Sequence, residues 1–114
     1  MMPNLHAIVY VSSATRQLTE ADIGHLLNRA RERNQQHDVT GVLLFCHGNF
    51  MQYIEGPQAS LQTIYDIIRA DPMHQQLIEL FNEPIASRAM QGWSMAYRVM
   101  DKASFAPVSL AIAT

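Results

Sequence analysis

Asn34-Gln-Gln-His-Asp-Val-Thr-Gly-Val-Leu-Leu-Phe-Cys-His-Gly-Asn-Phe-Met-Gln-Tyr-Ile-Glu-Gly56 is the segment around which the rest of the chain is arranged. Val42 to Cys46 and Phe50 to Ile54 are apolar runs flanking a turn at His47-Gly48-Asn49, the pattern of a β-hairpin. Side chains alternate along a strand, so Phe50, Gln52 and Ile54 share one face, and Met51, Tyr53 and Glu55 share the other. Gln52 breaks the pattern: a neutral amide sits between large apolar neighbours on the face expected to be buried. A buried amide without partners costs on the order of a few kcal/mol. A polar partner is therefore expected beside it.

Working outward, Leu5 to Val11 reads as a first strand, with His6, Ile8 and Tyr10 on one face. Tyr10 is expected near its end, before a polar loop at Ser12-Ser13-Ala14-Thr15. Thr19 then suits an N-cap, with Glu20 and Asp22 in the first turn. Ile23, Leu26, Leu27, Ala30 and Asn34 follow at helical spacing, and Gly24 among them suggests a close approach. Gly56-Pro57 opens a second helix whose apolar face is Leu61, Ile64, Tyr65 and Ile68, and Asp71-Pro72 ends it. Gln76 to Phe81 reads as a fourth strand. Trp93 to Met100 reads as a fifth, with Trp93, Met95, Tyr97 and Val99 on one face. The order β-α-β-β-α-β-β predicts an α+β, ferredoxin-like fold with an added fifth strand, a mixed sheet and two helices on one face. Residues 1–100 form the expected domain and 101–114 a short tail.

A chain of 114 residues is one domain by size. Its net charge of −2 offers no footprint for nucleic acid. No apolar window suits a membrane span, and no export signal is visible at the N-terminus. Cys46 is the single cysteine, so no internal disulfide forms and a cytoplasmic location is expected. The histidines are scattered without metal-site spacing.

In this topology the first and third strands are central neighbours, which allows Tyr10 and Gln52 to meet. Asn34, at the end of the first helix, points toward the same place. Leu26 and Ile68 would wall a slot between the helices. A phenol, two amides and two aliphatic walls suit a flat heteroaromatic ring.

These residues bring the chain close to a known family. It resembles the BLUF domains, blue-light sensors that use flavin adenine dinucleotide (FAD), from about Leu5 to about Val99. The resemblance lies in Tyr10 on the first strand, in Asn34 ahead of Thr40-Gly41, and in Phe50-Met51-Gln52-Tyr53-Ile54-Glu55-Gly56. It continues through Ile68-Arg69-Ala70-Asp71-Pro72 with His74, and ends in Trp93-Ser94-Met95. It implies non-covalent FAD binding and light-driven electron and proton transfer from Tyr10. It also implies that Gln52 lies between that tyrosine and the flavin N5 and C4=O, and that Asn34 holds the C4=O and N3–H edge. Leu26 and Ile68 would be the ring's walls, Asp71 and His74 part of the cofactor environment, and Trp93 and Met95 the signalling pair on the last strand.

The sequence departs from the family pattern in places. Met73 stands where an arginine is common, Arg33 where a second asparagine is common, and Ile67 where some members carry arginine. Arg33 is expected to reach the cofactor, at a phosphate. The resemblance implies a sensor rather than an enzyme, signalling to a protein partner. An open sheet face and an apolar tail favour a homo-oligomer. Two other readings stay open: a non-photoactive interaction or dimerisation module, and an acylphosphatase-like hydrolase with an anion loop at Ser12-Ser13-Ala14-Thr15-Arg16.

Overall fold

The hairpin closes more tightly than its sequence suggests. In a computed structural model that describes residues 4–99, β2 (Thr40–Cys46) and β3 (Asn49–Pro57) are joined by His47 and Gly48 alone, and Cys46 pairs with Asn49. Both turn residues have positive φ, 46° and 81°. That hand matches the twist of the strands, and glycine meets it without cost at the second position. Gly41 answers a different need. A Cβ there would overlap the Tyr53 carbonyl oxygen, so only glycine lets β2 lie against β3 at this point.

Around the hairpin stand β1 (Leu5–Ala14), α1 (Glu20–Gln36), α2 (Gln58–Ala70), β4 (His74–Pro84) and β5 (Ala96–Val99). The sheet order is β4-β1-β3-β2-β5. β5 joins β2 in parallel and the other pairings are antiparallel, which makes the sheet mixed. This is the expected ferredoxin-like arrangement with an added strand. Ile8, Tyr10, Leu43, Phe50 and Ile54 of the sheet pack with Ile23, Leu27 and Ala30 of α1 and with Leu61, Ile64, Tyr65 and Ile68 of α2. Both helices therefore cover one face. On the opposite face Ala7, Val9, Cys46 and Met51 are also buried. No helix among the described residues is long and apolar enough to cross a membrane.

Thr19 caps α1 as expected: its hydroxyl accepts from the Asp22 N–H at 3.1 Å, and the Asp22 carboxylate accepts from the Thr19 N–H at 2.8 Å. Elsewhere the boundaries differ. β1 continues to Ala14, which places Tyr10 inside the strand rather than at its end. The serines beyond it find partners there, since Ser13 Oγ donates to Asn49 Oδ1 at 3.1 Å and Ser12 Oγ meets His74. Asn4 is tied down rather than frayed, accepting from the Gln58 N–H at 2.9 Å. β4 is longer than expected because an edge strand tolerates exposed polar residues. β5 begins only at Ala96, so Trp93 and Met95 precede the strand. Gly24 faces open space, and no close approach explains it. The tail at 101–114 and its boundary lie outside the described residues.

Candidate functional site

Tyr10 and Gln52 are paired directly across β1 and β3 and point toward the helices. Both are buried, and the Tyr10 O–H donates to Gln52 Oε1. The partner required by a buried glutamine is thus a phenol. Burial pushes the Tyr10 pKa far above its ordinary 10, with the positive charge of Arg33 working in the other direction. The phenol keeps its proton. The other end of the amide has a weaker contact: Gln52 Nε2 donates to the Met95 thioether sulfur at 3.5 Å.

A cavity opens beside this pair. Leu26, Arg29, Ala30 and Arg33 of α1 line it from one side and Ile67 and Ile68 of α2 from the other, with Leu43 and Phe50 from the sheet. The turn after α2 contributes Asp71 and Met73, and His74 follows at the start of β4. Arg33 Nε is buried and has no hydrogen-bond partner among the described residues. Burial lowers the Arg33 pKa, and Tyr10 and Asp71 favour the charge. Asp71 Oδ1 accepts from the Met73 N–H at 2.9 Å, so this carboxylate shapes the turn. His74 is wedged between the Ile68 carbonyl, 2.5 Å from Nε2, and Ser12 Oγ, 2.9 Å from Nδ1. A carbonyl can only accept, so Nε2 carries the proton. This fixes the ring 6.0 Å from that of Tyr10.

Asn34 does not line this cavity; it lines a separate hollow with Gln35, Thr40, Arg88 and Ser94. Its Nδ2 donates to the Ser94 carbonyl at 2.7 Å, while its buried Oδ1 has no partner among the described residues. The neighbouring carbonyls are held as well. Gly41 N–H donates to Trp93 O at 2.9 Å, and Arg31 Nε to Met95 O at 2.9 Å. Three successive carbonyls before β5 are therefore fixed by donors from α1 and β2. The expected Trp93–Met95 pair is split: Met95 is 2% exposed and touches Gln52, whereas Trp93 is 53% exposed. They do not share a face, because the backbone there is not yet a strand.

Of the residues singled out in the sequence, Tyr10, Leu26, Arg33, Gln52, Ile68, Asp71 and His74 line one cavity. Met95 reaches it through Gln52, whereas Asn34 lines a different hollow and Trp93 is exposed, so neither joins the expected set. Arg29 was legible, since it lies four residues before Arg33 and so on the same helix face. The carbonyls of Trp93 to Met95 carried no signal, because any residue supplies one. The hydrolase loop does not form: Ser12 and Ser13 are in β1, and Arg16 Nη1 is paired with Asp22 at 2.8 Å.

Comparison with known proteins agrees with this geometry. Residues 5–96 match the family model for BLUF, sensors of blue-light using FAD. The chain is 36% identical over 85 residues to the photoactivated adenylate cyclase subunit beta of Euglena longa, covering 75% of this chain and 10% of that protein. It is 37% identical over 76 residues to the blue light- and temperature-regulated antirepressor BluF of Escherichia coli K12, covering 67% of this chain and 19% of that one. It thus spans a small part of these relatives' length. Among solved structures, the dark state of the BLUF protein BlrB superposes with a TM-score of 0.80 at 30% identity, covering 99% of this chain and 84% of that one. With the Tyr10–Gln52 pair at the wall of an inter-helix cavity and the family match across most of its length, the chain belongs to the BLUF family of flavin-based blue-light sensors.

Proposed function

We propose that this chain is a photosensory domain that binds FAD non-covalently, with Tyr10 and Gln52 as its photochemical pair. One observation carries the proposal: a buried phenol donates to a buried amide at the wall of a cavity lined by aliphatic side chains and arginines. The residues fit a flavin. Leu26 and Ile68 offer aliphatic walls and Arg33 Nε an unused donor; Asn34, which does not line the cavity, keeps a free acceptor in Oδ1. Gln52 also has a second N–H to give. Arg29 and Arg33 suit the cofactor's phosphates. Met73 stands where the family often has arginine, yet Arg29 Nη2 lies 3.6 Å from its sulfur, which leaves a cation at that place.

A bound flavin supplies absorption of blue light and, when excited, an acceptor for one electron. With such a group bound, Tyr10 would be the donor of an electron and of its O–H proton, and Gln52 Oε1 is the acceptor already in contact with that proton. Return of both to Tyr10 would leave Gln52 rotated or tautomerised. A carboxamide has a donor end and an acceptor end, so rotation exchanges them. The Met95 sulfur then faces oxygen instead of N–H. An unbranched methionine repacks readily, and the change passes along the backbone into β5. No bond to the protein forms and no substrate is turned over; the output goes to a protein partner. The buried, unpaired Cys46 fits a reducing compartment.

The test is the absorption spectrum of the purified protein before and after blue light, with chromatography of the released flavin. Flavin bands that shift red, recover in the dark and release FAD support the proposal. Flavin mononucleotide in place of FAD would correct the cofactor. A protein that refuses flavin would overturn the proposal.

A further inference from the structure

Glu55 takes no part in that chemistry, yet its carboxylate is wholly buried and fully bonded. Oε1 accepts from Tyr53 Oη and the Ala89 N–H, and Oε2 from Thr40 Oγ1 and the Met90 N–H, each at 2.7 Å. Burial pushes its pKa up, but the hydroxyl and backbone donors outweigh that and hold the group below its usual range, so it stays ionised. Charge-assisted bonds of this length are the strong ones. Arg88 adds to the same knot, donating to Thr40 Oγ1 at 2.9 Å and to the Asp38 carbonyl at 2.7 Å.

Ala89 and Met90 belong to the connection between β4 and β5, the same connection that ends at Met95. β3 therefore grips it at two points on opposite faces of the sheet. One grip is the carboxylate at Ala89 and Met90. The other is the thioether contact of Gln52 with Met95, at 3.5 Å. A reoriented Gln52 amide alters only the second.

We infer that Glu55 is a positioning residue for the light response: it fixes the Ala89–Met90 end of the connection, so that a change at Gln52 is delivered through Met95 into β5. This rests on the sensor proposal above. Without the fixed end, the connection would shift as Met95 repacks, and the barrier between lit and dark arrangements would fall.

The experiment follows dark recovery after a blue flash in the FAD-loaded protein. Glu55→Gln keeps the shape but turns one acceptor into a donor facing a backbone N–H. Its red shift should match that of the unsubstituted chain, while recovery should be faster by about tenfold, which corresponds to ~1.4 kcal/mol of barrier. In a Met95→Ala background the same substitution should change recovery by less than about twofold, because coupled sites are non-additive. Tyr53→Phe leaves the carboxylate in place and removes one donor. It should give a smaller acceleration, again absent with Met95→Ala, and it serves if Glu55→Gln does not fold. An unchanged recovery rate in the foldable variant overturns the inference, and so does an acceleration that persists undiminished without Met95. If the unsubstituted chain shows no red shift at all, the sensor proposal fails and takes the inference with it.

Discussion

Gln52 and Glu55 sit three residues apart on β3, both buried, and their surroundings are opposites. Glu55 is held by hydroxyls and backbone N–H groups on both oxygens. Gln52 has one phenol and one thioether. The carboxylate is saturated, and any rearrangement leaves strong donors unpaired. The amide is under-satisfied, and its two ends are nearly interchangeable. On the proposed reading, one strand carries an anchor on one face and a switch on the other. A buried polar group by itself says little; the strength and number of its partners decide which of the two it is.

The largest effect is expected at Gln52. Gln52→Leu should lose the light-induced red shift completely and still take up flavin. Its stability in urea should stay within ~1 kcal/mol, since the unpaired Tyr10 hydroxyl and the gained apolar burial oppose one another. A retained shift would remove Gln52 from the mechanism. At the anchor the pattern reverses. Glu55→Ala leaves buried N–H groups without acceptors and should cost ~3 kcal/mol or more in urea denaturation. A cost near zero would show that the knot is ornamental.

The anchor also has a pH signature. Its folded-state pKa lies below the ordinary carboxyl value of 4.5, so the unfolded chain binds more protons as pH falls. The stabilisation is complete above that value and declines as pH drops through the folded pKa. Urea midpoints measured downward from about pH 6 should fall for the unsubstituted chain, and less steeply for Glu55→Gln. Equal slopes would mean that the carboxylate is not held as described. The smallest contrast lies in the last segment. Met95→Ala should cost ~2 kcal/mol as a buried truncation, and Trp93→Ala less than ~0.5 kcal/mol as an exposed one. Similar losses in thermal denaturation would place Trp93 inside.

Much of this was legible in the sequence, and the limits have physical causes. The amide at Gln52 announced a partner because strand alternation put it among Phe50 and Ile54, and the topology left Tyr10 opposite. Helical spacing put Leu26 on the inward face of α1, whereas Arg33 was tied to the cofactor only by the family resemblance. The sequence misled where it was read locally. Ser12 and Ser13 looked like a loop, but in an interior strand their hydroxyls reach Asn49 and His74. Trp93 and Met95 alternated like strand neighbours, yet side-chain donors hold that backbone before the ladder with β2 begins. Glu55 was legible only as lying on the face opposite Gln52, because two of its partners are the Ala89 and Met90 N–H groups, and backbone donors leave no mark in a sequence.

The most direct measurement is the light-minus-dark difference spectrum of the flavin-loaded chain beside Tyr10→Phe. If Tyr10 is the electron and proton donor, a reversible red shift is expected in the first and bound flavin with no shift in the second. A normal photocycle in Tyr10→Phe would contradict that role, and so would a flavin-loaded chain whose bands do not move.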